Sequence, residues 1–170
     1  MVVTGLLGSV ESQAEMTLGS AFHSRYERGL GEFDARNASG ALWSLGYRRS
    51  TWQVFAERFA YSVIQNNRPI RLRMDHEEWM FWSRARFLGS DRFSPFAGVG
   101  AGFYQQTVQL NYGRSAARGQ GREEFLAGAG LGLEYRVFAN MLVDVEGRGI
   151  YDQPRRDWAL SVLARLTFAF

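Results

Sequence analysis

The chain of 170 residues contains no cysteine, and every one of its 20 cationic side chains is arginine. Without Cys there are no thiol nucleophiles, no disulfide scaffold and no zinc site built on sulfur. Without Lys there is neither the phosphate-loop lysine of a nucleotidase nor Schiff-base chemistry. Two His leave little for metal binding or acid and base catalysis, and a net charge of only +3 gives no support to a nucleic-acid partner. Apolar runs are also missing at the length of about 20 residues that a membrane-spanning helix needs. That last absence is not evidence of solubility, because membrane barrels hide their lipid face in alternate residues.

What the chain does have is aromatic residues, at 15%, and 19 glycines. The apolar residues recur with period two. From Phe125 to Val137 the odd positions are apolar, while Gly128, Gly130, Gly132, Glu134 and Arg136 occupy the other face. Met141, Val143, Val145 and Tyr151 oppose Asp144, Glu146 and Arg148, and Trp158 to Phe170 alternates to its last residue. Phe96 to about Leu110 sets Ala97, Val99, Ala101 and Phe103 against glycines, and Trp79, Phe81, Ala85 and Phe87 oppose Glu78, Arg84 and Arg86. Shorter patterns cover Trp43 to Tyr47, Trp52 to Val63 and Glu15 to Tyr26, which makes eight strands. Glu57 and Arg58 fall on opposite faces, for which a bulge is expected.

Long polar connections at about 27–40, 64–72, 111–121 and 152–157 alternate with tight turns near Arg49, Gly89 to Arg92 and Phe138 to Asn140. An antiparallel up-and-down meander places all the long loops at one end. Alternation alone does not decide which face points inward, and a soluble lipocalin-like binding barrel would bury the apolar one. The expectation here is the reverse. Glycines interleaved with charges suit a narrow lumen that must make room for long side chains, and aromatics gather at segment ends as interfacial girdles do.

The segments FAGVGAGFY (96–104), GAGLGLEYRV (128–137), LVDVEGRGIY (142–151) and the terminal LSVLARLTFAF resemble the small eight-stranded outer-membrane barrels of Gram-negative bacteria, the group of the OmpA transmembrane domain, OmpX and OmpW. The likeness implies an all-β, eight-stranded antiparallel transmembrane barrel over residues 15–170, located in the bacterial outer membrane. Residues 1–14 are either a clipped export signal, for which Ser12-Gln13-Ala14 fits a cleavage pattern, or a disordered N-terminus. The resemblance further implies that Phe168 and Phe170 act as the signal read by the barrel-assembly machinery. It implies outer-membrane lipid, lipopolysaccharide and other envelope proteins as partners.

The expected lumen charge network is Glu57, Arg84, Arg86, Glu134, Arg136, Asp144, Glu146, Arg148 and Arg165, pairing with one another because lone buried charges are costly. A second arginine set lies in or beside the long loops: Arg25, Arg28, Arg36, Arg68, Arg71, Arg114, Arg118, Arg122, Arg155 and Arg156. Of these, Arg28, Arg36, Arg114, Arg118, Arg155 and Arg156 are candidate lipopolysaccharide contacts, since guanidinium groups suit phosphates. Asp75-His76-Glu77-Glu78 carries ligand residue types, but neighbours on a strand point to opposite faces, and the set is read as a solvated strand end. His23 has Ser24 beside it in sequence but on the other face, so no hydrolase triad forms. No catalytic residue, cofactor or metal site is expected. The function expected is structural, envelope-anchoring or surface-interacting, with a mostly plugged polar lumen. The alternatives are a small pore or carrier for hydrophobic solutes, the lipocalin-like binder, and a lipid A modifying enzyme.

Overall fold

A computed structural model describes residues 14–26, 38–49, 51–67, 70–87, 92–112, 115–121, 123–152 and 157–170. The strands are β1 (Glu15–Tyr26), β2 (Ala38–Arg48), β3 (Trp52–Asn67), β4 (Ile70–Arg86), β5 (Phe93–Tyr112), β6 (Ser115–Gln120), β7 (Glu124–Phe138), β8 (Met141–Asp152) and β9 (Asp157–Ala169). Each strand of the barrel wall pairs antiparallel with its neighbour in sequence, apart from β5, which passes to β7 as well as to β6. The β1–β9 ladder closes the ring, and Met16 and Phe170 exchange backbone hydrogen bonds of 3.0 Å at its edge. The wall is therefore an eight-stranded up-and-down barrel, with β6 standing above β7 as the continuation of the β5 hairpin.

Period two places each residue. On β9, Trp158, Leu160, Val162, Leu166 and Phe168 are exposed, while Ser161, Leu163, Arg165 and Thr167 are buried. On β8, Val145 is exposed between Asp144 and Glu146, which are buried. Around the ring the buried charges point inward, among apolar and aromatic side chains, and the large exposed apolar residues point outward. A contiguous apolar exterior on this scale belongs against lipid hydrocarbon.

Aromatic rings mark both edges of the apolar band. A cross-strand row runs through Trp43, Arg58, Trp79, Phe103 and Phe125 at the end that carries the long connections. Towards the other end lie Tyr47 and Trp52, with ring centroids 5.7 Å apart, and the exposed Phe87, Phe93, Tyr135, Phe138 and Phe168.

Three local expectations are overturned. The segments 64–72 and 111–121 are not loops: β3 runs to Asn67, β4 starts at Ile70, and β5 and β6 pair from Thr107↔Gln120 to Tyr112↔Ser115. No bulge separates Glu57 from Arg58, because both ladders of β3 keep register there; Glu57 simply points in and Arg58 out. The register shift lies instead between Arg136 and Phe138. The expected signal or N-terminal tail falls outside the described residues, except for Ala14.

Above the aromatic row, β3 to β6 continue as a four-stranded sheet, and on β4 and β5 the polarity of the two faces is exchanged. Its outer register carries Arg71, Arg73, Asp75, Glu77, Gln105, Thr107, Gln109 and Arg118, and its inner register carries Leu72, Met74, Val108, Leu110 and Tyr112. The strands leave lipid here, so water now bathes the outer face.

The outward position of Leu131, which is 67% exposed at the middle of β7, gives a direct test of the lipid-facing assignment. Leu131→Arg is expected to lower the unfolding free energy in lipid vesicles by about 2–4 kcal/mol. Denaturant titration of the embedded protein measures it, and an unchanged midpoint would place that face in water.

Candidate functional site: the charged lumen and the outer sheet

The inward positions of the barrel collect charge at two levels. At mid-height are Glu57 from β3, Arg84 from β4, Asp144, Glu146 and Arg148 from β8 and Arg165 from β9, all buried. Arg148 reaches across the lumen to Glu57, donating hydrogen bonds of 2.5 and 2.9 Å to its two carboxylate oxygens, and donates a third of 2.8 Å to Glu146. Arg165 lies 2.5 Å from the same Glu57 and 3.6 Å from Glu146. Arg84 pairs with Glu146 and lies 3.6 Å from Asp144. Three arginines thus face three carboxylates, and the set is electrically neutral.

Aromatic faces complete this layer. The Arg84 guanidinium lies 4.6 Å from the Phe55 ring centre and 4.3 Å from that of Phe96, Arg148 lies 4.1 Å from Trp82, and Arg165 lies 4.7 Å from Phe55. Such stacking favours a cation that has lost its water. The glycines opposite are needed for space: a Cβ on Gly130 would run into Glu146 and Arg148, and one on Gly100 into the Trp82 ring.

Nearer the short-turn end lies a second group. Glu134 receives Arg48 at 2.9 Å and Arg86 at 3.4 Å, and Arg86 also donates to the Arg49 carbonyl at 2.5 Å. Arg136 is half-buried and Glu15 lies 4.0 Å from Arg48. Towards the long-connection end the lumen turns apolar and aromatic, with Phe59, Tyr61, Met80, Leu126, Ile150 and Leu163 all buried. His76 stacks on Tyr61 at 4.6 Å, and His23 packs on Phe59 at 4.1 Å.

All nine residues expected in the lumen point inward, in these two groups. Sequence reasoning missed Arg48, although it shares inward parity with Leu42 and Ser44, and missed the rings of Phe55, Trp82 and Phe96. The expected strand end at 75–78 is instead the middle of β4: His76 and Glu78 are buried inside, while Asp75 and Glu77 face out. No metal-holding group of three or more His, Asp or Glu residues occurs among the described residues. Of the candidate lipopolysaccharide contacts, Arg118 is exposed on β6; Arg28, Arg36, Arg114, Arg155 and Arg156 lie outside the described residues.

The outer sheet has its own ion pairs. Arg58 donates to Glu77 at 2.7 Å, Trp79 Nε1 donates to the same oxygen at 3.1 Å, and Arg58 lies 5.8 Å from the Trp79 ring centre. Two residues further up, Asp75 accepts from Ser62 at 2.5 Å and from Arg73 at 2.8 Å. Hydrogen bonding by Ser62 and Arg73 holds the Asp75 carboxyl below its usual range, and Arg58 and Trp79 do the same for Glu77. Both carboxyls therefore keep their charge, and their pairs, to a lower pH than free side chains would, and the pairs weaken as the pH falls through that lowered range.

Glu57 serves two arginines at once, so its removal leaves both buried without their shared counter-charge. Glu57→Ala is expected to cost about 3–5 kcal/mol of stability. Loss of the heat-modifiable gel shift at a lower temperature, together with denaturant unfolding in micelles, measures the effect. A change below about 1 kcal/mol would show that the network is solvated, as exposed pairs are.

No protein-family model matches the sequence, and no curated protein sequence matches it either. Solved structures do. Neisserial surface protein A superimposes with a TM-score of 0.68 at 13% identity, over 92% of this chain and 97% of that one. Ail, the attachment invasion locus protein of Yersinia pestis, gives 0.59 at 14% identity over 94% and 99%. The N-terminal β-barrel domain of Pseudomonas aeruginosa OprF gives 0.51 at 16% identity over 92% and 100%. The identities are too low to carry function across. The ring closure, the strand order and the inward charges, taken with these superpositions, give the chain the fold of the small eight-stranded outer-membrane barrels.

Proposed function

We propose that the protein is an integral barrel of the bacterial outer membrane whose lumen is closed, and whose working surface is the sheet raised above the membrane by β3 to β6. The observation that carries this reading is the mid-height layer. Arg148 and Glu57 meet across the lumen within hydrogen-bond distance, and both are at least nine-tenths buried. Trp82 lies against Arg148, and Phe55 and Phe96 against the neighbouring Arg84 and Arg165 of the same layer. In an eight-stranded barrel side chains are enough to fill the interior. A structural or surface-interaction role is the reading this supports, because the raised sheet turns a polar outer face to partners outside the cell.

Reconstituted in planar bilayers, the wild-type protein is expected to give no steady conductance steps, while Arg148→Ala combined with Arg165→Ala opens a measurable path. Steps of constant size from the wild type would sink the closed-lumen reading.

One observation favours a second reading, a carrier for hydrophobic solutes: the inner register of the raised sheet is apolar at Leu72, Met74, Val108, Leu110 and Tyr112. On that reading a brominated alkane entering from the loop end quenches Trp82 fluorescence more strongly than a brominated lipid does. Equal quenching by the two removes it.

A further inference from the structure

The lumen charges balance at mid-height, but nearer the short turns they do not. The second group holds three inward arginines, Arg48, Arg86 and Arg136, against the glutamates Glu134 and Glu15. They stand on the last rungs of the wall: Arg48 ends β2, Arg86 ends β4, Glu15 begins β1, and Arg136 lies two residues before the end of β7. Among these five groups, one positive charge is in excess.

The two glutamates do not serve the three cations equally. Arg48 at 2.9 Å and Arg86 at 3.4 Å approach the same oxygen of Glu134, Oε1. Glu15 makes a loose pair with Arg48, at 4.0 Å. Arg136 forms no ion pair with a carboxylate among the described residues, and its Nε is buried without a hydrogen-bond acceptor. Arg48 Nη1 is in the same position. The charge of Arg136 is felt at both Arg48 and Arg86, as is that of Glu15, so the five groups form one electrostatic cluster. Like charges held this close, out of water, are unfavourable unless an anion is shared among them. Exposure shows the side from which one arrives. The side chains of Arg48 and Glu134 are 5% and 6% exposed, whereas Glu15 is 31% exposed and Arg136 is half-buried at the short-turn end. Short turns face the periplasm in outer-membrane barrels.

We propose that this rung binds a phosphate group that reaches it through water from the periplasmic side and displaces the Glu15 carboxylate from Arg48. The donors left for it are Arg48 Nη1 and Arg136 Nε, with Arg86 as the third cation. Guanidinium groups carried on three strands suit a ligand with three or more oxygens. A carboxylate offers only two, and Glu134 already places one such group against Arg48 and Arg86. A lipid head group is not the source, because the barrel wall separates these inward side chains from the acyl chains outside. The site lies at the mouth of the lumen and is independent of whether the lumen conducts.

The test uses the folded full chain in phosphatidylcholine nanodiscs, isotope-labelled in its arginine side chains and read through their Nε–H signals by NMR. Inorganic phosphate and, separately, acetate are titrated in, with sodium chloride holding the ionic strength constant. Phosphate is expected to shift the Arg48 and Arg136 signals to saturation, more tightly than acetate does, and to give no saturable shift at Arg58 on the raised sheet. Followed at Arg48, Arg136→Gln weakens phosphate binding by about tenfold, whereas Glu15→Gln, which removes the competing carboxylate, tightens it by a similar factor. A purely structural cluster gives no such opposition of sign. The heat-modifiable gel shift of each variant reports that it is folded. No saturable shift with phosphate, acetate binding as tightly as phosphate, or wild-type affinity in either folded variant would each overturn the proposal.

Discussion

The constraint on which this structure depends is that ionised side chains inside a narrow tube must find one another. An isolated carboxylate or guanidinium removed from water is too costly to keep, and one partner lost from a buried pair leaves the other stranded. Glu57 is accordingly shared between Arg148 and Arg165, and Glu146 lies against all three mid-height arginines. Aromatic faces take up the guanidinium surfaces that the carboxylates do not reach, and glycines on neighbouring strands leave the room this needs. Side-chain volume, charge and backbone are adjusted to one another at the same height in the barrel.

Because the charges occupy the interior, the exterior is left to the solvent. In the band between the girdles that solvent is hydrocarbon, and the large outward residues are Leu, Val, Phe and Trp, interspersed with Ala. Above the row from Trp43 to Phe125 it is water, and the same strands turn Arg, Asp, Glu and Gln outward while their inner positions become Leu, Met and Val. Alternation is preserved through this boundary. Only its sign is reversed, so one continuous strand serves two environments without a break in hydrogen bonding.

That reversal explains which parts were legible in the sequence. Period two located every strand of the wall, and the inward direction of Glu134, Glu146, Arg148 and Arg165 followed from the glycines around them. The segments at 64–72 and 111–121 read as loops because their polarity no longer matches the strands they extend, although the alternation of Arg71, Arg73 and Asp75 with Leu72 and Met74 was there to be seen. Arg48 was passed over because it stands beside Arg49 next to a turn, where a pair of arginines looks solvated. The lumen rings were passed over for a different reason. A Phe or Trp is assigned to lipid on chemistry alone, and only the shared parity of Phe55 with Glu57, and of Trp82 with Arg84, points them inward.

The cross-lumen pairs also bear on the order in which the barrel can be completed. Glu57 and Arg84 lie on β3 and β4, whereas Asp144, Glu146, Arg148 and Arg165 lie on β8 and β9. Every ladder of the wall except β1–β9 joins elements close in sequence and can form as soon as both have emerged. The pairs of Glu57 with Arg148 and Arg165, and of Arg84 with Glu146, cannot, because they join opposite walls and exist only once the sheet has curled. An open sheet therefore leaves Glu57 and Arg84 without these partners, and curling exchanges their hydration for pairing. Closing the ring is the moment at which the interior becomes dry, and a sheet in the wrong register would meet that moment with like charges face to face.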